Sequence, residues 1–165
     1  MALAAFSVVQ KIFSIGSTYT VYENSQSPAF TVRGKLLTMT PKLEAREGDN
    51  KDGKVLSTVT GNFFKTNFVI TDAAGTTLAS IKFPLISFLK NFTITIGEKT
   101  YKTKAGILSA RFSCKDEAGQ DIFTIVKELA FRDKFMINVE DTKVNKLVGV
   151  MAAIVIDQKF FQKKN

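Results

Sequence analysis

The chain has no histidine and no tryptophan, a single cysteine and only three prolines among its 165 residues. Each shortage removes a class of function. Without imidazole there is no Ser-His-Asp or Cys-His triad, no histidine-ligated metal and no base poised near neutral pH, so the chain is expected not to be an enzyme of those kinds. The lone Cys114 forms no intrachain disulfide, and a reducing cytoplasm is the expected location. Between Met1 and Gly16 no basic residue precedes the apolar stretch, and Gln10 and Lys11 interrupt it, which is not the pattern of a secretory signal. Leu147 to Ile156, the longest unbroken apolar run, covers about 15 Å as a helix against a bilayer core of roughly 30 Å, so no transmembrane span is expected. The glycines form neither a dinucleotide fingerprint nor a Walker loop, and no cofactor is expected.

What is present fits one core. Hydrophobic residues make up 45% of the chain and charged residues 23%, with no Pro-, Gly- or Ser-rich linker, so residues 1–165 are read as a single domain. The 23 lysines and arginines exceed the 15 acids by 8, which biases the molecule toward anionic partners.

A hairpin recurs along the chain. Asp72-Ala-Ala-Gly75 and Asp116-Glu-Ala-Gly119 sit at the same phase within Phe68 to Lys82 and Ala110 to Lys127, and fainter copies occupy Tyr19 to Arg33 and Leu43 to Thr60. Period-two alternation marks about twelve strands, near 8–13, 18–22, 29–35, 42–47, 54–60, 67–71, 77–83, 92–96, 100–104, 110–115, 121–127 and 134–139. The alternation stops at Lys146. Leu147 to Ile156 is apolar at every position, and Met151-Ala-Ala153 favours a helix over a strand, placed at about 144–162. A helix with no polar face must be surrounded. Strands with one apolar face each can surround it, so the expected fold is mainly β: a closed antiparallel barrel of about twelve strands enclosing the C-terminal helix.

Particular residues then carry a resemblance. Phe131-Arg-Asp-Lys-Phe-Met-Ile-Asn-Val139, the acidic step Glu140-Asp141, and Lys146-Leu-Val-Gly-Val-Met-Ala-Ala-Ile-Val-Ile-Asp157 followed by Phe160-Phe161 resemble the end of the phospholipid scramblase and LURP-one-related families. Both families belong to the tubby C-terminal-like superfamily. In the N-terminal half, Lys11-Ile-Phe-Ser-Ile-Gly16, Tyr19-Thr-Val-Tyr22 and Phe30-Thr-Val-Arg-Gly-Lys35-Leu36 are similar to LURP-one-related proteins. The resemblance implies a twelve-stranded barrel threaded by its C-terminal helix. It also implies a class of partner, because tubby domains bind phosphoinositide head groups through basic residues on the barrel exterior, and scramblases are associated with calcium-dependent lipid movement.

The calcium segment of scramblases corresponds here to Arg132 to Thr142. It offers only Asp133, Glu140 and Asp141, with Lys134 and Lys143 among them, so no metal site is expected. Asp49-Asn-Lys-Asp-Gly53 begins like an EF-hand loop but has Thr60 at the twelfth position, and reads as a polar turn. Cys114 has only Arg111 and Lys115 near in sequence to activate it and reads as a small strand residue.

Basic residues carry the functional expectation. Lys82, Lys90, Lys99, Lys102 and Lys104 face a single acid, Glu98, within 82–104, and period two puts Lys102 and Lys104 on one face. These five are the candidate site for an anionic head group at a membrane surface, with about 1 kcal/mol per lysine near acidic lipid. Lys159, Lys163 and Lys164, interleaved with Phe160 and Phe161, form a second and weaker patch. The expected function is a non-enzymatic, peripheral binder of anionic phospholipid. The alternative is a nucleic-acid or protein interaction module, which leans on net charge alone because no RNA-recognition signature is present. A third reading, a scramblase with its terminal helix in the bilayer, conflicts with the length of that helix.

Overall fold

The computed structural model describes residues 3–13, 16–24, 27–36, 38–86, 90–105, 111–127, 134–140 and 144–160. Twelve strands precede one helix. They are β1 (Leu3–Phe13), β2 (Gly16–Glu23), β3 (Pro28–Lys35), β4 (Lys42–Glu47), β5 (Val55–Gly61) and β6 (Asn67–Asp72), then β7 (Thr77–Lys82), β8 (Lys90–Ile96), β9 (Lys99–Ala105), β10 (Arg111–Lys115), β11 (Asp121–Lys127) and β12 (Lys134–Glu140), with α1 over Lys146–Phe160. All twelve belong to one antiparallel sheet in the order β10-β11-β12-β1-β2-β3-β4-β5-β6-β7-β8-β9. The terminal strands β9 and β10 lie side by side at the seam, so the sheet is a nearly closed barrel.

Side chains alternate as the sequence pattern requires. Leu43 and Ala45, Phe68 and Ile70, Ala79 and Ile81, Phe92 and Ile94, and Ile137 and Val139 point inward and are buried. Twelve strands about 4.8 Å apart give a perimeter near 58 Å and a bore of roughly 18 Å between backbones, widened by strand tilt, which accommodates a helix of about 10 Å. α1 fills it. Every residue from Val148 to Gln158 is buried, so the absence of a polar face records enclosure on all sides by the protein's own sheet.

Small residues make the fit. A Cβ on Gly149 would lie 2.5 Å from Val139 Cγ2, so glycine lets the helix backbone approach β12 closely. The helix begins two residues later than expected because Asn145 caps it, its Oδ1 accepting the Leu147 N–H at 2.9 Å. It is described to Phe160, and positions 161–162 of the expected span lie outside the described residues.

The four sequence copies of the hairpin share a structural device. β2–β3, β4–β5, β6–β7 and β10–β11 each slip register near the turn, between Val21 and Tyr22, Ala45 and Arg46, Ile70 and Thr71, and Cys114 and Lys115. Such bulges add bend and twist, which a closing sheet needs. In the two clearest copies the turns superpose in chemistry. Gly75 and Gly119 take φ of 86° and 80°, while Asp72 Oδ1 accepts the Thr76 N–H and Asp116 Oδ1 accepts the Gln120 N–H, both at 2.9 Å.

The largest departure from the expected strands is β1, which starts at Leu3 and not near 8. Leu-Ala-Ala has little β propensity, but Leu3 to Val9 pair with Glu140 to Lys134 of β12, and ladder pairing outweighs local preference.

Candidate functional site

At the C-terminal end of α1 two motifs of the sequence resemblance meet. Asp157 and Tyr19 are 138 residues apart, and the buried Tyr19 hydroxyl donates to Asp157 Oδ2 at 3.2 Å. Gln10 Nε2 donates to the same hydroxyl at 3.2 Å. Next along the helix, Gln158 Oε1 accepts the Leu36 N–H at 2.8 Å and its Nε2 donates to the Gly34 carbonyl at 3.4 Å. This polar cluster fixes the helix to β1, β2 and the end of β3. On its other side Phe160 stacks on Phe112 with ring centroids 5.7 Å apart and meets Phe83 edge-on at 5.4 Å. Phe160 therefore packs against the core, and Phe161 lies outside the described residues.

Two titratable groups of the interior hold their protons more tightly than usual. Burial, reinforced by the neighbouring Asp157 carboxylate, raises the Tyr19 phenol well above its ordinary value of 10.0. Burial likewise pushes the Cys114 thiol from 9.0 up to about 12, against a smaller opposing effect of the Thr103 hydroxyl across the seam. Both side chains are closed off from solvent. Of the carboxylates weighed for calcium, Glu140 is buried, while Asp133 and Asp141 lie outside the described residues. Among the described residues no three His, Cys, Asp or Glu side chains converge to hold a metal. Asp49 to Gly53 forms the β4–β5 turn, with the Asp52 N–H donating to Asn50 Oδ1 at 2.9 Å.

The five candidate lysines occupy strands β7, β8 and β9 but not one point. Lys82 is opposite Thr93, which is opposite Lys102, so the two exposed lysines stand in one row two strands apart, about 10 Å. Lys104 follows Lys102 in the same alternation, opposite Asn91. Lys90 opens β8 opposite Ala105. Lys99 starts β9 at the other end of the barrel, about 17 Å along the strand from Lys104.

The electrostatic surroundings distinguish these positions. Among the outward positions of β5 to β9 whose side chains are described, from Leu56 through Thr60, Asn67 to Thr71, Leu78 to Lys82, Asn91 to Thr95 and Thr100 to Lys102, the charged residues are Lys82 and Lys102. The rest are mainly threonine, serine and asparagine. Lys99 and Lys102 also border a shallow open cleft of about 320 Å³ at the β9–β10 seam, but there Lys99, Lys102 and Lys115 face Glu98, Asp116 and Glu117. Opposed charges balance in that cleft, and Lys115 is already bound to Asp121 at 2.7 Å. Lys82 stands apart from these acids, whereas Lys102 is shared between the open face and the cleft.

Of the second patch, Lys159 is half-buried, donates to the Lys65 carbonyl at 2.6 Å and lies 5.4 Å from the centre of the Phe83 ring, so it ties the helix end to the β5–β6 and β7–β8 connections. Lys163 and Lys164 lie outside the described residues. The Tyr19–Asp157 contact has no signal in local periodicity; its only sequence trace is that each member sits in a stretch carrying the family resemblance. No helix among the described residues is long and apolar enough to cross a membrane. The family model of LURP-one-related proteins matches residues 4–157. A comparison with curated proteins gives no match.

Proposed function

The chain belongs to the LURP-one-related family, and on that footing we propose that it is a non-enzymatic barrel that binds the head groups of anionic phospholipids from the surface of a membrane. The observation that carries this is the outward face of β7 to β9, where Lys82 and Lys102 share one row; the outward positions of β5 to β8 around Lys82 carry no carboxylate, and Lys102 stands between that face and the acids of the seam cleft. A lysine with a nearby acid spends part of its field locally; a lysine on an acid-free face, as Lys82 is, projects it into solvent, where a layer of anionic head groups gathers many such contacts at once. The non-enzymatic part is supported by the buried, proton-retaining states of Tyr19 and Cys114.

Co-sedimentation with phosphatidylcholine vesicles, with and without phosphatidylserine, tests the proposal. At about 1 kcal/mol per lysine, Lys82→Ala with Lys102→Ala is expected to weaken binding to the acidic vesicles by roughly 30-fold. Lys51→Ala with Lys54→Ala removes the same net charge from the far end of the barrel and is expected to have a much smaller effect. Equal loss in both pairs, or indifference to phosphatidylserine at low salt, refutes the proposal. Salt-dependent shifts of random RNA or DNA without vesicle binding would replace it with the nucleic-acid reading.

A further inference from the structure

Among the described residues the loops at the two ends of the barrel differ in chemistry. The turns at 48–54, 72–76, 97–98 and 116–120 hold Asp49, Asp52, Asp72, Glu98, Asp116 and Glu117 against Lys51 and Lys54. The connections β3–β4, β5–β6 and β7–β8 leave the sheet at the other end, where α1 terminates. Their described residues include no acid, and Lys65 lies among them with Lys35, Lys42 and Lys82 on the adjoining strand ends. They also carry the five most exposed large apolar side chains of the described residues: Met39 at 78%, Phe63 at 64%, Phe64 at 69%, Leu85 at 74% and Ile86 at 82%.

This crown is built. Gly61 N–H donates to the Pro41 carbonyl at 3.0 Å and Phe83 N–H to the Thr66 carbonyl at 2.8 Å, so the three connections are laced together. Asn62 Oδ1 accepts the Thr66 and Asn67 N–H groups at 2.9 and 3.0 Å, which closes the tight loop that holds Phe63 and Phe64 outward. Fixed apolar tips on one end of the barrel, bordered by Lys35, Lys65 and Lys82 and by Lys42, which also reaches Glu44 at 3.9 Å, match one surface, an anionic bilayer: apolar groups enter the acyl boundary while lysines remain at head-group level. A second copy matches poorly, because a two-fold contact through this end would set these lysines against their own copies.

We infer that the molecule docks end-on, with Phe63, Phe64, Leu85, Ile86 and Met39 inserted into the membrane interface and the acidic turns directed away. The inference rests on the anionic-lipid reading above and adds a mode of insertion and an orientation to it.

Because the chain has no tryptophan, Phe64→Trp supplies a unique reporter at an exposed site. With phosphatidylserine-containing vesicles its emission is expected to shift to the blue and to be quenched by lipids brominated near the interface. Phe63→Ser combined with Leu85→Ser leaves the charge unchanged and is expected to weaken vesicle binding tenfold or more, with an unaltered thermal melt. Vesicle binding without a blue shift, with the reporter still open to an aqueous quencher, overturns insertion and leaves the head-group proposal standing. Binding to neither vesicle type overturns both. An equal blue shift on pure phosphatidylcholine keeps insertion but removes the charge-based proposal, and a shift that grows with protein concentration without vesicles overturns insertion in favour of self-association.

Discussion

Gly149 provides the sharpest test of how the helix sits, because two effects of opposite sign meet there. In an exposed helix, Gly→Ala stabilises by about 1 kcal/mol through helix propensity alone. Here the new Cβ would stand 2.5 Å from Val139 Cγ2 and 3.2 Å from Val139 Cγ1. Ordinary contact begins near 3.4 Å, so something must move by almost 1 Å. Val139 is fully buried on β12 and stiff at χ1, and overpacking of this kind costs about 1–3 kcal/mol. Gly149→Ala is therefore expected to destabilise by about 1 kcal/mol net, lowering Tm by a few degrees for a domain of this size.

Val139→Ala alone deletes two buried methyl groups and should cost about 2–3 kcal/mol, counting transfer and cavity. Combined, the two changes relieve each other: the alanine methyl at 149 enters the space that the valine vacates, and the propensity gain returns. The double variant should then be no less stable than Val139→Ala, with a coupling of about 2 kcal/mol in a double-mutant cycle followed by denaturant unfolding. Additivity within about 0.5 kcal/mol, or a rise in stability for Gly149→Ala alone, would show that helix and β12 are not in contact and would remove the enclosed helix.

Two further outcomes follow from the interior. Ala152→Asp places a carboxylate in a fully buried position of α1, at a cost of several kcal/mol against a total stability of about 5–15 kcal/mol, so the variant should not fold; a soluble variant with a cooperative melt contradicts helix burial. Cys114 and Tyr19 both hold their protons more tightly folded than unfolded, so their contribution is fully present below about pH 9 and is lost as pH rises, the thiol's through about pH 12. Stability should fall by up to about 1.4 kcal/mol per pH unit for each group that titrates only in the unfolded chain. In urea titrations across pH 8 to 12 (~4 units,) Cys114→Ala should remove the part that starts near pH 9, and a Cys114→Ala curve identical to the parent would refute that origin.

The strands were legible because each keeps one face in the core and one outside, so the period of two survives in Phe68-Val-Ile70 or Thr93-Ile-Thr-Ile96 without any knowledge of neighbours. The helix was legible for the opposite reason: enclosure removes its polar face, and no surface pattern competes with the run from Leu147 to Ile156. Leu3 to Ser7 of β1 escaped notice because its strand character comes from Glu140 to Met136 of β12, at the far end of the chain. The seam was equally hidden, since nothing local distinguishes β9 and β10 from strands that gain a partner on both sides.

The candidate site divides along the same line. Proximity in sequence grouped Lys82, Lys90, Lys99, Lys102 and Lys104, but an up-and-down sheet sorts residues by the end of the barrel that they reach, not by their numbers. Lys99 thereby joins Glu98, Asp116 and Glu117 at the acidic end, whereas Lys82 joins Lys35, Lys42 and Lys65, which lie as many as 47 positions away (82 − 35 = 47). Among the described residues the β4–β5, β6–β7 and β10–β11 turns carry aspartate, while the β5–β6 and β7–β8 connections carry Phe63, Phe64, Leu85 and Ile86, so polar and apolar loops alternate from one connection to the next over β4 to β8. A barrel that segregates acid turns from lysine-collared apolar loops has a net field directed along its axis. Near an anionic surface that field orients the molecule before contact, and the lysine row of β7 to β9 and the apolar crown then approach from the same side through the residue they share, Lys82.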